Sequence, residues 1–261
     1  MGIYRIEVDT HVHSVLSGHA WSTLRENITQ AKLAGLKGIC ITEHSAAVLG
    51  AAPEFAYASM ALLPESDDGI RLYHGQESDI LSENGRLCPS DDVLSQLDFC
   101  IASIHMAAAS LKRERDICTA AYLAALDNPY VSILGHIDRT TFPCDLETVI
   151  KKAGSCGKMI ELNNASLAPA RAAGHENVKT MLKCCIKHEV PICVSSDAHF
   201  DKMVGNFRQA EALLEELHFP EELIINASKE RFEEYLKKHK DIIKDYERRT
   251  GNAETDREFL Y

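Results

Sequence analysis

Seven short apolar runs recur along the chain, and most are separated by amphipathic stretches of helical period. The runs are IYRIEV (3–8), GICIT (38–42), IRLYHG (70–75), FCIASI (99–104), VSILG (131–135), MIELN (159–163) and PICVSS (191–196). Near-continuous Ile, Val and Leu over five or six residues is the pattern of strands buried on both faces, which are parallel strands covered by helices. Between them, apolar residues return every three or four positions in 22–36, 113–126, 145–156 and 177–189. Ser22 is the expected N-cap of the first of these helices, with Gly35 near its end. Seven such units in 261 residues predict one α/β domain, a closed or nearly closed (β/α) barrel. The domain is expected to span 1–240. Residues 241–261, charged and without apolar period, read as a C-terminal tail or peripheral helix.

The residues just beyond each run narrow the chemistry. His11, His13 and His19 come after the first, His44 after the second and Glu77 after the third. His105 and His136 come after the fourth and fifth, Asn163 and Asn164 end the sixth, and Asp197 and His199 come after the seventh. A parallel barrel gathers the C-terminal ends of its strands on one face, where barrel active sites lie. So many imidazoles together are costly to bury without a cation, and imidazole with carboxylate suits zinc, manganese or iron. His74 reads as structural, His188 and His218 as helix-end residues, and His175 stays a candidate.

Composition removes other classes. A net charge of −11 disfavours non-specific nucleic-acid binding, which rests on phosphate neutralisation. MGIYRIEVDT lacks the charged head and apolar core of a signal peptide, and no apolar run is long enough to span a membrane. A cytoplasmic protein with reduced, mostly buried thiols is expected from its nine cysteines, and the sequence carries no signal for oligomeric state. There is no G-x-S-x-G and no phosphate-binding P-loop.

Taken together, DTHVHS, His19, ITEHS, GQESDI, ASIHM, LGHID, ELNN and SSDAH, in that order from residue 9 to 199, resemble the polymerase and histidinol phosphatase (PHP) superfamily of metal-dependent phosphoesterases. The likeness is greatest to its small single-domain bacterial phosphatases. It implies a distorted (β/α)7 TIM-like barrel with the active site at the C-terminal ends of the strands, and three divalent metal ions (zinc, manganese or iron). Carried over, one metal takes His11, His13, Glu77 and Asp197. A second shares Glu77 and adds His105 and His136, and a third takes His19, His44 and His199. Glu43 stands where the family usually has Asp, and Ile137 where Pro often follows the histidine; neither change removes a ligand.

Two metals sharing a carboxylate sit roughly 3.5–4 Å apart and lower the pKa of a bridging water. The expected activity is therefore hydrolysis of a small phosphomonoester by a metal-bridging hydroxide, a phosphatase reaction with no covalent enzyme intermediate. Glu77, Asp197 and Arg171 are the catalytic candidates. Arg171 is placed to fork onto phosphate oxygens, and Arg139 is a second contact. Asp9 and Glu43 are expected to accept N–H groups of the ligand imidazoles. Three other readings fit less well. A phosphodiesterase or 3′–5′ exonuclease, like the barrel attached to bacterial X-family DNA polymerases, sits poorly with the acidic charge and His19. A metal-stabilised binding domain without turnover would be expected to lose ligands. Amidohydrolases also begin with HxH, but commonly carry a modified lysine where this chain has His105.

Overall fold

The structure, a computed structural model, describes residues 4–250, apart from the side chain of Ala61. Seven strands lie side by side in chain order: β1 (Val8–Val12), β2 (Gly38–Ile41), β3 (Ile70–Ile80), β4 (Phe99–Ser103), β5 (Val131–Leu134), β6 (Met159–Asn163) and β7 (Ile192–Ser195). Each pairs in parallel with the next. The expected barrel is therefore present, and it is nearly closed. β3 is long enough to serve two neighbours in turn: residues 71–74 pair with β2, and residues 75–79 with β4.

Side chains alternate between two cores, as the period of a strand requires. Ile39, Leu72, Ala102, Leu134, Ile160 and Val194 point outward against the helices α1 (Leu24–Leu33), α2 (Arg115–Ala125), α3 (Leu146–Ser155) and α4 (His175–His188). Val8, Cys40, Tyr73, Phe99, Ile101, Ile133, Met159 and Cys193 point inward and form a second, smaller core. Phe232 and Leu236 enter it from α6 (Lys229–Thr250), which follows α5 (Arg208–Glu216) and plugs the end of the barrel away from the histidines. Residues 241–250 are the last turns of α6. Residues 251–261, the rest of the predicted tail, lie outside the described residues.

The inward face changes character along each strand. On β3 it runs Tyr73, Gly75, Glu77, Asp79; on β4 Phe99, Ile101, Ser103; on β6 Met159, Glu161, Asn163; on β7 Cys193, Ser195 and then Asp197. Apolar residues fill the N-terminal end, and polar ones the C-terminal end. β1 reaches the same result by a register shift between Asp9 and Val12. Val8 faces the inner core, whereas beyond the shift His11 and His13 face the site and Val12 packs outward.

The seam between β7 and β1 is closed mainly by side chains. Asn226 donates from Nδ2 to the carbonyls of Val8 (2.7 Å) and Val194 (2.6 Å), and its Oδ1 accepts the Val194 N–H (2.9 Å). Asp9, expected to hold an imidazole, instead accepts backbone N–H groups of Ser196 (3.0 Å) and Gly205 (2.9 Å) across the same seam. The cap of α1 also differs by one residue from expectation. Thr23 and Glu26 form a reciprocal capping box, while the Ser22 hydroxyl accepts the Asp201 N–H. Among the described residues no helix is long and apolar enough to cross a membrane, and all nine cysteines are free.

Candidate metal centre

The predicted donors converge at the C-terminal ends of the strands. His11 Nε2 lies 2.9 Å from His13 Nε2, 3.3 Å from Glu77 Oε2 and 3.7 Å from Asp197 Oδ1. His13 Nε2 is 3.6 Å from the same Glu77 oxygen and 3.3 Å from the same Asp197 oxygen. The other Glu77 oxygen, Oε1, is 2.9 Å from His136 Nε2 and 3.2 Å from His105 Nε2. Outermost, His19 Nε2 and His199 Nε2 are 2.9 Å apart. His44 stands between the groups: its ring stacks on His19 with centroids 4.8 Å apart, and its Nδ1 is 2.8 Å from Glu77 Oε2.

Local structure explains the presentation. A short 3₁₀ turn (Val15–Ser17) lifts His19 over the rim, and its closing Gly18 has φ +79°. A Cβ on Gly18 would lie 2.2 Å from the carbonyl carbon of Gly50, so the loops after β1 and β2 meet only because a glycine is there. His136 (φ 30°) and Asp197 (φ 53°) also hold left-handed backbone, which costs energy for such residues and is typical of functional sites.

The hydrogen bonds fix which nitrogens keep a proton. His11 donates from Nδ1 to Glu161 Oε1 (2.6 Å), and His105 from Nδ1 to Asp79 Oδ1 (2.8 Å). Ser17 gives its proton to Glu43 Oε2 (2.6 Å), so toward His13 it can only accept, and His13 donates from Nδ1 (2.9 Å). His19 and His199 donate from Nδ1 to the carbonyls of Ser17 (3.2 Å) and Asp197 (3.0 Å). A neutral imidazole has one proton, so these five present bare Nε2 lone pairs. Those lone pairs face one another and the oxygens of Glu77 and Asp197. Glu77 Oε2 and His44 Nδ1 are buried and, though close to each other, are not aligned for a hydrogen bond and make none elsewhere.

Acceptors facing acceptors at this range need a cation between them. Donors about 2.0–2.2 Å from one tetrahedral cation lie about 3.3–3.6 Å apart, and the distances around His11, His13, Glu77 and Asp197 bracket that value. The residues present therefore fit a divalent metal ion. The field agrees. Burial pulls His11 down, but Glu77, Glu161 and Asp197 outweigh it and hold it well above the ordinary imidazole range. Burial opposes ionisation of Glu77 and Asp197, yet the surrounding imidazoles, with Arg139 beside Asp197, hold both well below the carboxylate range. For His136, burial and then Arg139 lower the ring to about 4.

Sequence reasoning missed Glu161, Asp79 and Ser17, which orient His11, His105 and His13. Glu43 does act on an imidazole as expected, but through Ser17. Arg139 Nη2 donates to Asp197 Oδ2 (3.0 Å), so the guanidinium that touches the donor set is Arg139, while Arg171 stands with it on the wall of the cavity above. His175 opens α4 and lines neither that cavity nor its neighbour.

Comparison with known proteins places this arrangement. A family model described as the PHP domain matches residues 9–167. A probable phosphatase of Acetivibrio thermocellus is 38% identical over 237 residues, covering 91% of this chain and 98% of the relative. Another from Caldicellulosiruptor saccharolyticus is 37% identical over 243 residues, covering 90% and 97%. Among solved structures, a histidinol phosphate phosphatase of Lactococcus lactis complexed with zinc, L-histidinol and phosphate superposes with a TM-score of 0.58 at 18% identity, over 82% of this chain and 94% of that one.

Proposed function

The chain belongs to the PHP domain family, a family of metal-dependent phosphoesterases, and from that premise we propose that it is a phosphatase that hydrolyses a small phosphomonoester at three divalent metal ions. The observation that carries the reading is the set of bare imidazole nitrogens aimed at the oxygens of Glu77 and Asp197. His11, His13, Glu77 and Asp197 would hold one ion, Glu77, His105 and His136 a second, and His19, His44 and His199 a third. Zinc, manganese and iron all suit such donors. Bound there, divalent cations supply positive charge against phosphate oxygens and a water acidic enough to attack near neutral pH.

The chain's own residues do the rest. Glu77 turns one oxygen to each of two donor groups and so fixes them one carboxylate apart. Asp197 is held between His11, His13 and Arg139. Arg139 and Arg171, on one wall of the cavity over the donors, fork onto the phosphate oxygens that do not react. In the reaction the oxygen of water joins phosphorus, the ester P–O bond breaks, and the leaving oxygen takes up a proton. The products are an alcohol and inorganic phosphate.

The test is inorganic phosphate release from a panel of small phosphomonoesters by protein loaded with manganese or zinc, beside His136→Ala. Release that the variant loses is expected. No release from protein of confirmed metal content would overturn the reading.

A further inference from the structure

Ser17 ends the 3₁₀ turn after β1 and is fully buried, and its hydroxyl has no bonding capacity to spare. It donates to Glu43 Oε2 (2.6 Å) and accepts from His13 Nδ1 (2.9 Å) and from the His44 backbone N–H (3.0 Å). One proton and two lone pairs are all that a hydroxyl has. The Ser17 carbonyl takes a third histidine, His19, through Nδ1 (3.2 Å). Glu43 fixes the direction of the whole set. It is itself buried, its carboxylate accepts the Ser14 N–H on both oxygens (3.1 and 3.0 Å), and its carbonyl accepts the N–H of Glu77 (3.1 Å). Two bonded, buried residues thus touch His13 among the inner donors, His19 and His44 among the outer ones, and Glu77 between them.

Resting on the three-metal reading above, we propose that Ser17 is a positioning residue that couples the inner donors to the outer ones, so that the ions they hold are kept or lost together. The direction of one proton does this. Because Glu43 takes the Ser17 proton, Ser17 must accept from His13, and the His13 proton is pinned on Nδ1 with Nε2 left bare. The second lone pair holds the His44 N–H and so sets where the chain after β2 carries that ring. No apolar side chain, and no group that only donates, can serve both histidines. Were the hydroxyl missing, His13 Nδ1–H would lose its acceptor, while Asp197 Oδ1 stands 3.3 Å from Nε2. The proton would then sit on Nε2 and bond to Asp197, and the inner ion would lose both as ligands. His44 would lose in the same step the bond that fixes its backbone. Asp79, by contrast, takes one histidine, His105 (2.8 Å).

Ser17→Ala, Glu43→Leu, Glu43→Gln and Asp79→Asn are compared with the wild type by two measurements. The first is the zinc retained per chain in competition with a chromophoric chelator. Ser17→Ala keeps the carbonyl that serves His19, yet it should lose the inner and the outer ion together, each bound about 10–100-fold more weakly. Asp79→Asn should lose one ion. Glu43→Leu frees the Ser17 proton to turn toward His13, so it should resemble Ser17→Ala, and it keeps the test alive should that variant fail to fold. Glu43→Gln retains an oxygen for the hydroxyl and should weaken binding least. The second measurement is nitrogen-15 NMR of the imidazoles in the metal-free protein. The His13 proton should sit on Nδ1 in the wild type and on Nε2 in Ser17→Ala and Glu43→Leu, a change that a residue merely filling space would not cause. The proposal is overturned if Ser17→Ala and Glu43→Leu hold zinc as the wild type does, if they lose only one ion, or if His13 keeps its tautomer in both. Those outcomes leave the metal reading standing, whereas a wild-type chain that binds no zinc removes both.

Discussion

One strand, β3, shows how differently the two ends of this barrel are built. Near its start Tyr73 meets Phe232 edge-on, with ring centroids 5.1 Å apart, and Phe99 packs against the same ring at 6.2 Å. That end is built from apolar rings in contact with one another. Four and six residues further along the same inward face stand Glu77 and Asp79, both buried. Here five of the imidazoles are satisfied on the half that faces the protein, and not on the half that faces the cavity. Stability is concentrated at one end and chemistry at the other. A change at either end should therefore leave the other's readout nearly untouched.

The largest effect is expected from Glu77→Gln. It takes a charge from the carboxylate that serves two donor groups, so phosphate release should fall by about 10³-fold or more, together with the metal bound per chain. Unfolding of the metal-free protein should change little. A variant that kept both metal and turnover would break the division at its polar end. Phe232→Ala probes the opposite end. It should lose about 3–5 kcal/mol of stability to the cavity left in the inner core. Metal content and kcat below the unfolding transition should stay at their wild-type values, and a drop in kcat without unfolding would show that the ends are coupled.

His239 sharpens the comparison through pH. It lies on α6, buried against Tyr130 and Tyr235, and burial lowers it from 6.5 to about 4. Between those values the unfolded chain takes up a proton that the folded chain refuses, so stability falls as pH drops through this window and levels off below it. The full cost is about 3 kcal/mol. His239→Gln should flatten the fall in Tm between pH 7 and 5 relative to wild type. Equal slopes would mean that the acid sensitivity lies entirely with the imidazoles of the metal end.

The convergence of the candidate donors was largely legible in the sequence because each comes after an apolar run, and the topology of a parallel barrel does the gathering. What escaped was of another kind. Asn226 closes the seam from a loop with no periodicity to announce it, and Asp9 serves that seam rather than an imidazole. His239 was hidden in a charged stretch whose buried face appears only once α6 has a barrel to plug. Glu161 did leave a signal: a lone carboxylate in the middle of MIELN must be paired if that strand is buried, and its partner could only come from the inward face of a neighbour.

That residue gives the smallest and most discriminating effect. Glu161 Oε1 accepts from His11 Nδ1 (2.6 Å) and from the Ser195 hydroxyl (2.6 Å), while Oε2 accepts the His136 backbone N–H (2.7 Å). Glutamine keeps the shape but replaces one oxygen with an NH₂ group. Placed at Oε1, that group meets the His11 N–H and pushes the proton of His11 toward Nε2, the atom that must stay bare to bind metal. Placed at Oε2, it meets the His136 N–H, which cannot turn away. Either orientation sets donor against donor beside a histidine proposed to hold metal. Glu161→Gln should therefore weaken metal binding by about 10–100-fold, read by competition with a chromophoric chelator, and turnover should return at high metal concentration. Ser195→Ala removes a donor and leaves the carboxylate in place, so it should weaken binding less. If Glu161→Gln held metal as tightly as the wild type, the carboxylate would be filling space in the barrel, and the polar end would reach only as deep as the residues that touch the metal.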